Sequence, residues 1–238
     1  MQILPAIDIL NGNCVRLIQG DFNQETVFST NPPEMAKTWE SEGAEVIHIV
    51  DLNGAKTGML DNKSIIEDIV KHIKIPIQVG GGIRSLEIAK TLIDCGVSRI
   101  VLGTIAINNR ELLQTLISEL GSDKIIIALD GKDGNIAING WQDQTNQQVT
   151  DVACDMKEYG IQRIMYTDIS KDGVLNGPNL NTTQDLTRIP NLNVIASGGI
   201  SSLQDIQRVK NIGCEGAILG KSLYERIFTL KEAIDAAN

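Results

Sequence analysis

The stretch VGGGIRSLE, residues 79–87, ends an apolar run in three glycines and continues directly into a helical pattern. A second stretch, ASGGISSLQ at residues 196–204, has the same layout. When the two are aligned, Gly82 falls on Gly199, which is an offset of 117 residues. The same offset relates five further pairs: Gly43 and Gly160, Asp51 and Asp168, Asn62 and Asn179, Gly96 and Gly213, and Gly103 and Gly220. This regularity predicts that the chain consists of two duplicated halves.

Eight short apolar runs alternate with amphipathic helical stretches, and they occupy residues 3–8, 45–51, 75–79, 99–103, 124–130, 163–168, 193–197 and 216–220. Apolar strands separated by helices are typical of a parallel sheet that helices cover. Eight such units in 238 residues fit a closed (β/α)8 TIM barrel, with an open doubly wound sheet as the alternative. The repeat favours the barrel. We predict an α/β fold in one domain, residues 1–238, built from half-barrels at about 1–121 and 122–238.

The two halves differ in length near their starts. There the offset is 122, because Asp8 falls on Asp130 and Gly12 falls on Gly134. The first half therefore holds five more residues, which lie in the segment NGNCVRLIQGDFNQETVFSTN, residues 11–31. Loops of this length are often lids or binding loops. We expect a long loop there that contacts a ligand, with Arg16 and Phe22 as the contacting side chains.

Composition restricts the function classes. A net charge of −9 opposes non-specific nucleic-acid binding and requires local groups to hold an anionic substrate. No segment has the 18 or so uninterrupted apolar residues of a membrane span, and no basic leader precedes the first apolar run, so we expect a cytoplasmic protein without membrane contact. Four dispersed cysteines and two isolated histidines predict neither disulfides nor a zinc site.

The glycines indicate phosphate binding. A strand that ends in Gly-Gly before a helix presents backbone N–H groups to an anion, and glycine permits its close approach. Each half has such a pair and a further glycine at the end of the next strand, although the glycines could also serve only to make tight turns. We predict two phosphate sites on opposite sides of one barrel mouth, formed by Gly81, Gly82, Arg84, Gly103 and Thr104 in the first half and by Gly198, Gly199, Gly220, Lys221 and Ser222 in the second.

Two aspartates related by the repeat end opposite strands. Asp8 closes the first apolar run and Asp130 closes the fifth. Because catalytic residues of this fold lie at the carboxyl ends of the strands, the two carboxylates are predicted to face each other across the mouth. Carboxylates in different environments can serve as an acid and a base, although each could also cap its own turn.

Further polar residues are predicted to lie near the same mouth. The segment YTDISKDGVLNGPN places Thr167, Asp168 and Asp172 after the sixth run. We expect Asp51 and Asp168 to order their loops, whereas Asp172 is either a turn residue or a catalytic acid. Trp141, in a loop beyond the fifth run, offers either packing or a flat surface for a ring.

The phrases LPAIDILNG, CVRLIQGDF, VGGGIRS, TDISKDGVLNGPN and ASGGISS occur in this order. Together they resemble the phosphoribosylformimino-5-aminoimidazole carboxamide ribotide isomerases of histidine biosynthesis, over essentially the whole chain. The resemblance implies a substrate with two phosphates and an Amadori rearrangement of an aminoaldose into an aminoketose. It implies no metal or nucleotide cofactor, and a monomer.

The resemblance also implies roles for individual residues. Asp8 matches the base, Thr167 an assisting hydroxyl, and either Asp130 or Asp172 the general acid. A second group matches positions that close over the substrate or hold its phosphates, and this group comprises Arg16, Trp141, Gly82, Gly103, Gly199 and Gly220.

Three alternatives remain at this point. The sister cyclase, which uses ammonia from a glutaminase partner, places a lysine in the region of residues 11–31, where this chain has none. A dual-substrate isomerase that also acts on phosphoribosylanthranilate has an arginine near the tryptophan, and residues 134–147 contain no arginine. A non-catalytic phosphate-binding barrel would have no need of the aspartates at the mouth.

Overall fold

The eight apolar runs form eight parallel strands that close into a barrel in the computed structural model, which describes residues 1–238. The barrel strands, numbered 1 to 8 in chain order, are Gln2–Leu10, Ile47–Asp51, Ile77–Gly80, Arg99–Leu102, Ile125–Lys132, Arg163–Asp168, Asn193–Ser197 and Gly216–Leu219. Each strand pairs in parallel with the next, and strand 8 pairs with strand 1. The (β/α)8 TIM barrel predicted from the sequence is therefore confirmed, and the open sheet is wrong.

Helices cover the outside of the barrel. The main helices are Pro32–Ser41, Lys63–His72, Leu86–Asp94, Arg110–Leu120, Val149–Glu158, Leu180–Thr187, Leu203–Asn211 and Leu230–Ala237. Shorter helical turns are Leu52–Thr57, Thr104–Asn108, Lys221–Tyr224 and the 3₁₀ turn Ser122–Lys124. No helix combines the length and the apolar character needed to cross a bilayer.

Side-chain alternation along the strands divides the core into two parts. A cluster of 49 buried residues lies between strands and helices. A separate cluster contains no helical residue and fills the barrel interior, and its members are Leu4, Ala6, Val46, Val101, Ile126, Ala128, Met165, Ile195 and Ile218. Burying a large apolar side chain contributes about 1.5–3 kcal/mol, so these layers fix the strand register. The next inward-facing positions toward the carboxyl ends of the strands form the rim of the barrel.

The segment of residues 11–31 is not the long loop that the sequence predicts. It forms an antiparallel hairpin of strands Asn13–Ile18 and Asp21–Ser29, called here the first hairpin, whose first strand pairs with barrel strand 1. A turn at Asn11-Gly12, where both residues are left-handed with φ of 50° and 81°, joins barrel strand 1 to this hairpin, and a second left-handed pair, Gln19-Gly20 with φ of 49° and 72°, closes the hairpin itself. An Asn-Gly turn of this kind matches the twist of a hairpin.

A second hairpin follows barrel strand 5 in the same way. Its strands are Asn135–Ile138 and Asp143–Gln148, and the first of them pairs antiparallel with barrel strand 5. A turn at Asp133-Gly134, with φ of 53° and 81°, joins barrel strand 5 to this hairpin, whose own turn contains Asn139, Gly140 and Trp141, all with positive φ. Asp133-Gly134 corresponds to Asn11-Gly12 at the offset of 122, so the repeat extends to the turn conformation.

Matching hydrogen bonds order the loops after barrel strands 2 and 6. Asn62 Nδ2 donates to the Asp51 carboxylate at 2.6 Å, and Asn179 Nδ2 donates to the Asp168 carboxylate at 2.6 Å. Asp51 also accepts the N–H of Gly54, and Asp168 accepts the N–H of Ser170. The prediction that both aspartates order their loops is therefore confirmed. The correspondence supports the half-barrel division, which stays a prediction.

Substitution of either asparagine should destabilise the protein. Asn62→Ala and Asn179→Ala each remove a hydrogen bond to a buried carboxylate, and we expect the free energy of unfolding to fall by about 1–3 kcal/mol in each case. Urea unfolding measures it, with Gln114→Ala on an exposed helical surface as the control, expected within about 0.5 kcal/mol of wild type. If both variants are as stable as this control, the hydrogen bonds from the two asparagines to the aspartates do not stabilise the fold.

Candidate active site

Four candidate catalytic side chains meet at the rim of the barrel. Asp8 continues the inward series of Leu4 and Ala6 on strand 1, and Asp130 lies at the equivalent position on strand 5, across the barrel. Thr167 on strand 6 is the direct neighbour of Asp130 in the strand pairing. Asp172 lies in the turn after strand 6, where the charges of both Asp8 and Asp130 act on it. The structure therefore brings the predicted group together.

Arg16 of the first hairpin enters this group from above. Its Nη1 donates to Asp8 Oδ2 at 2.8 Å, and its Nη2 donates to the carbonyl of Ala6. The side chains of Arg16 and Asp8 are only 11% and 17% exposed. Burial raises the pKa of Asp8, while the charge and the hydrogen bond of Arg16 act to lower it. Arg16 was expected to close over a substrate, and in this structure its partner is Asp8.

Asp130 has a different environment. Burial raises its pKa, and no cation is among the groups that act against this shift. Hydrogen bonds from the Trp141 indole and the Thr167 hydroxyl oppose it. Donors directed at a carboxylate favour its ionised form. Burial outweighs both donors, so the pKa of Asp130 stays above its usual range.

Asp172 is a carboxyl group with a pKa near neutrality. Burial and, after it, the negative charge of Asp8 raise its pKa to about 7, with a further contribution from Asp130. Arg16 and Lys221 act in the opposite direction. A carboxyl group with this pKa is about half protonated at pH 7, so it can donate a proton.

The Gly-Gly pairs allow backbone segments to approach each other closely. A side chain at Gly81 would collide with the backbone of Asp51, and one at Gly199 would collide with the carbonyl of Gly177. Both glycines have positive φ, 97° and 81°. The tight-turn role therefore holds for these pairs, whether or not they also bind phosphate. Gly82 and Gly198 are in the same conformation, with φ of 73° and 87°.

The two outer glycines have different surroundings. No atom lies within 4 Å of the place that a Cβ on Gly103 would occupy, so open space faces this residue. At Gly220 the Arg16 guanidinium fills that place, with Cζ 2.8 Å from the Cβ position. Each glycine precedes a short helix that has no side-chain cap, whereas Ser85 and Ser202 cap the helices after the Gly-Gly pairs. Free first-turn N–H groups are thus found after Gly103 and Gly220. The sequence predicted them directly after the Gly-Gly pairs, where serine side chains cap the helices instead.

Three further predicted phosphate ligands lie at the rim but bind protein atoms here. Arg84 donates to the carbonyl of Ala55 at 3.0 Å and is exposed, over the loop after strand 2. Thr104 Oγ1 accepts the N–H of Asn139 at 2.8 Å. Lys221 Nζ donates to the carbonyl of Gly173 at 2.8 Å, next to Asp172.

The two hairpins and the turn after strand 6 meet above the rim. The Trp141 ring packs on Gly20 at the tip of the first hairpin, where a Cβ would lie 2.6 Å from the indole. Gln19, also at that tip, donates its N–H to the carbonyl of Asp172 at 3.2 Å. Arg16 thus contacts Asp8 and Trp141 contacts the tip of the first hairpin, and their closing over a substrate stays a prediction.

Two groups of residues that adjoin the site were not predicted from the sequence. Tyr224, four residues after Gly220, lies beneath Arg16, with the guanidinium carbon 4.9 Å from its ring centre. In the barrel interior, His48 Nδ1 accepts a hydrogen bond from Gln78 Nε2 at 3.0 Å. Burial and the charge of Arg16 lower the pKa of His48 to about 3, which keeps it neutral. No sequence motif marks either group, because both depend on which strands become neighbours.

Comparison of the sequence with known proteins shows the family to which the chain belongs. The model of the family described as "Histidine biosynthesis protein" matches residues 2–229. A protein of Clostridioides difficile is 48% identical over 98% of this chain and 97% of its own length. Proteins of Lachnoclostridium phytofermentans and Acetivibrio thermocellus are 46% and 45% identical and also match over nearly their whole lengths. All three are named 1-(5-phosphoribosyl)-5-((5-phosphoribosylamino)methylideneamino) imidazole-4-carboxamide isomerase. The chain therefore belongs to the histidine biosynthesis protein family and, within it, to these isomerases.

Proposed function

We propose that the protein is the isomerase of histidine biosynthesis that converts the (5-phosphoribosylamino)methylideneamino imidazole carboxamide ribotide into its phosphoribulosyl isomer by an Amadori rearrangement. The observation that carries the proposal is the group of three carboxyl side chains, Asp8, Asp130 and Asp172, in three different electrostatic environments at one rim. Family membership and the names of the relatives support the same reaction.

The substrate in the relatives' names carries two 5-phosphoribosyl groups, one at each end. Two glycine loops lie on opposite sides of the barrel, after strands 3 and 4 and after strands 7 and 8. We assign one phosphate to each loop. The ligands assigned to the first are Gly81, Gly82, Arg84, Gly103 and Thr104, and those assigned to the second are Gly198, Gly199, Gly220, Lys221 and Ser222, to which we add Arg16 beside Gly220.

Asp172 is the general acid that we propose. Protonated Asp172 donates to the ribose ring oxygen, the C1–O bond breaks, and the amine lone pair forms a protonated imine at C1. The pKa of about 7 leaves a sufficient fraction of the acid form at neutral pH. Asp130 stays the second candidate for this role, because burial raises its pKa as well, although the donors of Trp141 and Thr167 act in the opposite direction.

Asp8 is the base that we propose. Its carboxylate removes the C2 proton, and the bonding pair moves into the C1–C2 bond and neutralises the imine as an enolamine. Protonation at C1 and loss of the enol proton then give the aminoketose. The positive imine acidifies the C2 proton, so the step needs no metal and no nucleotide cofactor. Thr167 assists from its position beside Asp130, and the Trp141 ring provides a flat surface for the imidazole.

The setting of the reaction follows from the same proposal. The ligand is a small phosphorylated molecule, and no step requires a nucleic acid, a membrane or a partner chain. We propose that the protein acts as a monomer, because one barrel supplies both glycine loops and all three carboxyl groups. We also propose that it acts in the cytoplasm.

A direct assay tests the function. Purified wild type should isomerise the phosphoribosylformimino substrate without ammonia, and Asp8→Asn should lower kcat by about 10²–10⁴-fold because the base is removed. Phosphoribosylanthranilate serves as a parallel substrate, and turnover of both compounds would indicate a dual-substrate enzyme. Failure to turn over the first substrate, together with ammonia-dependent use of the isomerised product, would identify the cyclase and contradict the proposal.

The pH dependence distinguishes the two candidate acids. If Asp172 must be protonated, kcat should fall as the pH rises above about 7, following its pKa. Asp172→Asn should lower kcat by about 10²–10⁴-fold and remove this basic limb, whereas Asp130→Asn should retain the limb. The measurement is kcat and KM between pH 5 and about 9. Loss of the limb in Asp130→Asn alone would transfer the acid role to Asp130.

The raised pKa of Asp172 should also affect stability. Below about pH 4 the group is protonated in both states, and up to about pH 7 it stays protonated only in the folded state. The folded protein therefore binds more protons, and its free energy of unfolding falls as the pH rises through this interval. Asp172→Asn cannot ionise, so it should be more stable than wild type at pH 8 by roughly 1–4 kcal/mol and similar near pH 4.

Denaturant unfolding at several pH values measures this difference. Asp235→Asn, at an exposed position on the last helix, is the matched control and should follow the wild-type curve. A wild type and an Asp172→Asn variant that lose stability in parallel between pH 4 and about 8 would show that Asp172 is ionised throughout.

A further inference from the structure

The ring of Tyr224 packs against the guanidinium of Arg16. The hydroxyl of Tyr224 donates to the carbonyl of Ala6 at 3.0 Å, and the same carbonyl accepts Nη2 of Arg16. The ring faces the guanidinium with 4.9 Å between Cζ and the ring centre, which is within the range of cation–π attraction. Tyr224 therefore contacts Arg16 through the ring and shares an acceptor with it.

Aromatic neighbours fix the orientation of Tyr224. Phe28 of the first hairpin packs with its ring centre 4.9 Å away, at an interplanar angle of 49°. Trp39 of the first helix lies edge-on at 5.6 Å and 88°. The ring is thus held by a strand of the first hairpin and by a barrel helix. A side chain that is held from two sides can position a third group at low entropic cost.

Arg16 lies between two functional partners in this arrangement. One side of the guanidinium binds the Asp8 carboxylate, and the other side fills the space next to Gly220. Its Nε–H is buried and has no hydrogen-bond acceptor. The Arg16 atoms nearest Gly220 are Cζ, Nη1 and Nη2, so a phosphate oxygen there would accept from the Nη hydrogens that Asp8 and Ala6 leave free.

We propose that Tyr224 is a positioning residue, which holds Arg16 at the junction of Asp8 and the Gly220 loop so that one guanidinium serves both the base and a substrate phosphate. The inference rests on the proposed function and deepens it. Phosphate oxygens beside Gly220 engage the free donors of Arg16 while its Nη1 remains within reach of Asp8. Substrate binding and the ionisation of the base are thereby linked through a single side chain.

Few other groups at this junction change charge in the working pH range. The titratable groups that act on Asp8 or Arg16 are Cys14, His48, Asp172 and Tyr224. The pKa of Cys14 is raised to about 12, that of His48 is lowered to about 3, and that of Tyr224 is raised, all chiefly by burial. The acid limb of the pH profile is therefore assigned to Asp8 after comparison with Asp130→Asn, because Asp130 is the other rim carboxyl group that can contribute to it, and Asp172 affects the opposite limb.

Kinetics of Tyr224 variants test the inference. Tyr224→Leu removes the ring, so Arg16 loses its position, KM should rise by about three- to tenfold, and the acid limb of kcat/KM should move to higher pH by about one unit. Tyr224→Phe keeps the ring and should stay within about twofold of wild type. If Tyr224→Leu does not fold, Tyr224→Met replaces it, and the same two parameters are measured.

A double-mutant cycle separates positioning from general stability. In an Arg16→Gln background, Tyr224→Leu should shift the acid limb no further, because Tyr224 acts through Arg16. Tyr159→Leu is the matched control, since Tyr159 stacks with Arg110 at 5.4 Å on the outer helices, and it should leave the pH profile unchanged.

The possible outcomes separate this inference from the proposed function. A wild type without isomerase activity would contradict the function itself. An active wild type with an unshifted acid limb in Tyr224→Leu, or an equal shift from Tyr224→Leu with and without Arg16, would overturn only the positioning role.

Discussion

Closure of eight parallel strands into a barrel is the constraint on which the rest of the structure depends. Side chains alternate along each strand, so the apolar residues of the inner cluster determine which positions reach the rim. Asp8, Asp130 and Thr167 are each the next inward residue above that cluster. A shift of one residue in any strand would turn its rim residue outward. The packed interior thus positions the candidate catalytic side chains. The hydrogen bonds that Asp51 and Asp168 accept order the adjoining loops.

The rim collects three carboxyl groups, and their environments distinguish them. Asp8 has a cation at 2.8 Å, Asp130 has two neutral donors, and Asp172 has the negative charges of both other aspartates opposed by Arg16 and Lys221. Ionised carboxylates at one rim repel one another, and burial together with this repulsion raises the pKa of Asp172 to about 7. Asp172 lies in the turn beyond strand 6. One group suited to proton donation and another suited to proton abstraction therefore coexist at neutral pH.

Much of this arrangement could be predicted from the sequence. The repeat and the apolar runs placed all eight barrel strands, because burial on both faces makes a parallel strand visible as a continuous apolar segment. The rim residues followed from their positions at strand ends. The two hairpins were missed, although the Asn-Gly and Asp-Gly turns that lead into them from the barrel strands are recognisable signals. The pairing of Arg16 with Asp8 and the position of Tyr224 were not predictable, since they depend on side chains from distant elements meeting across the mouth.

The most direct test of this account is the protonation state of the rim. Carbon NMR of protein labelled at the aspartate carboxyl carbon, compared with Asp172→Asn, follows the titration of each group through its chemical shift. We predict one resonance that titrates near pH 7 and is missing in the variant. If every aspartate resonance of the wild type instead titrated near the ordinary value of about 4, the rim would hold three carboxylates and no acid at neutral pH. The division of roles between Asp8 and Asp172 would then be wrong.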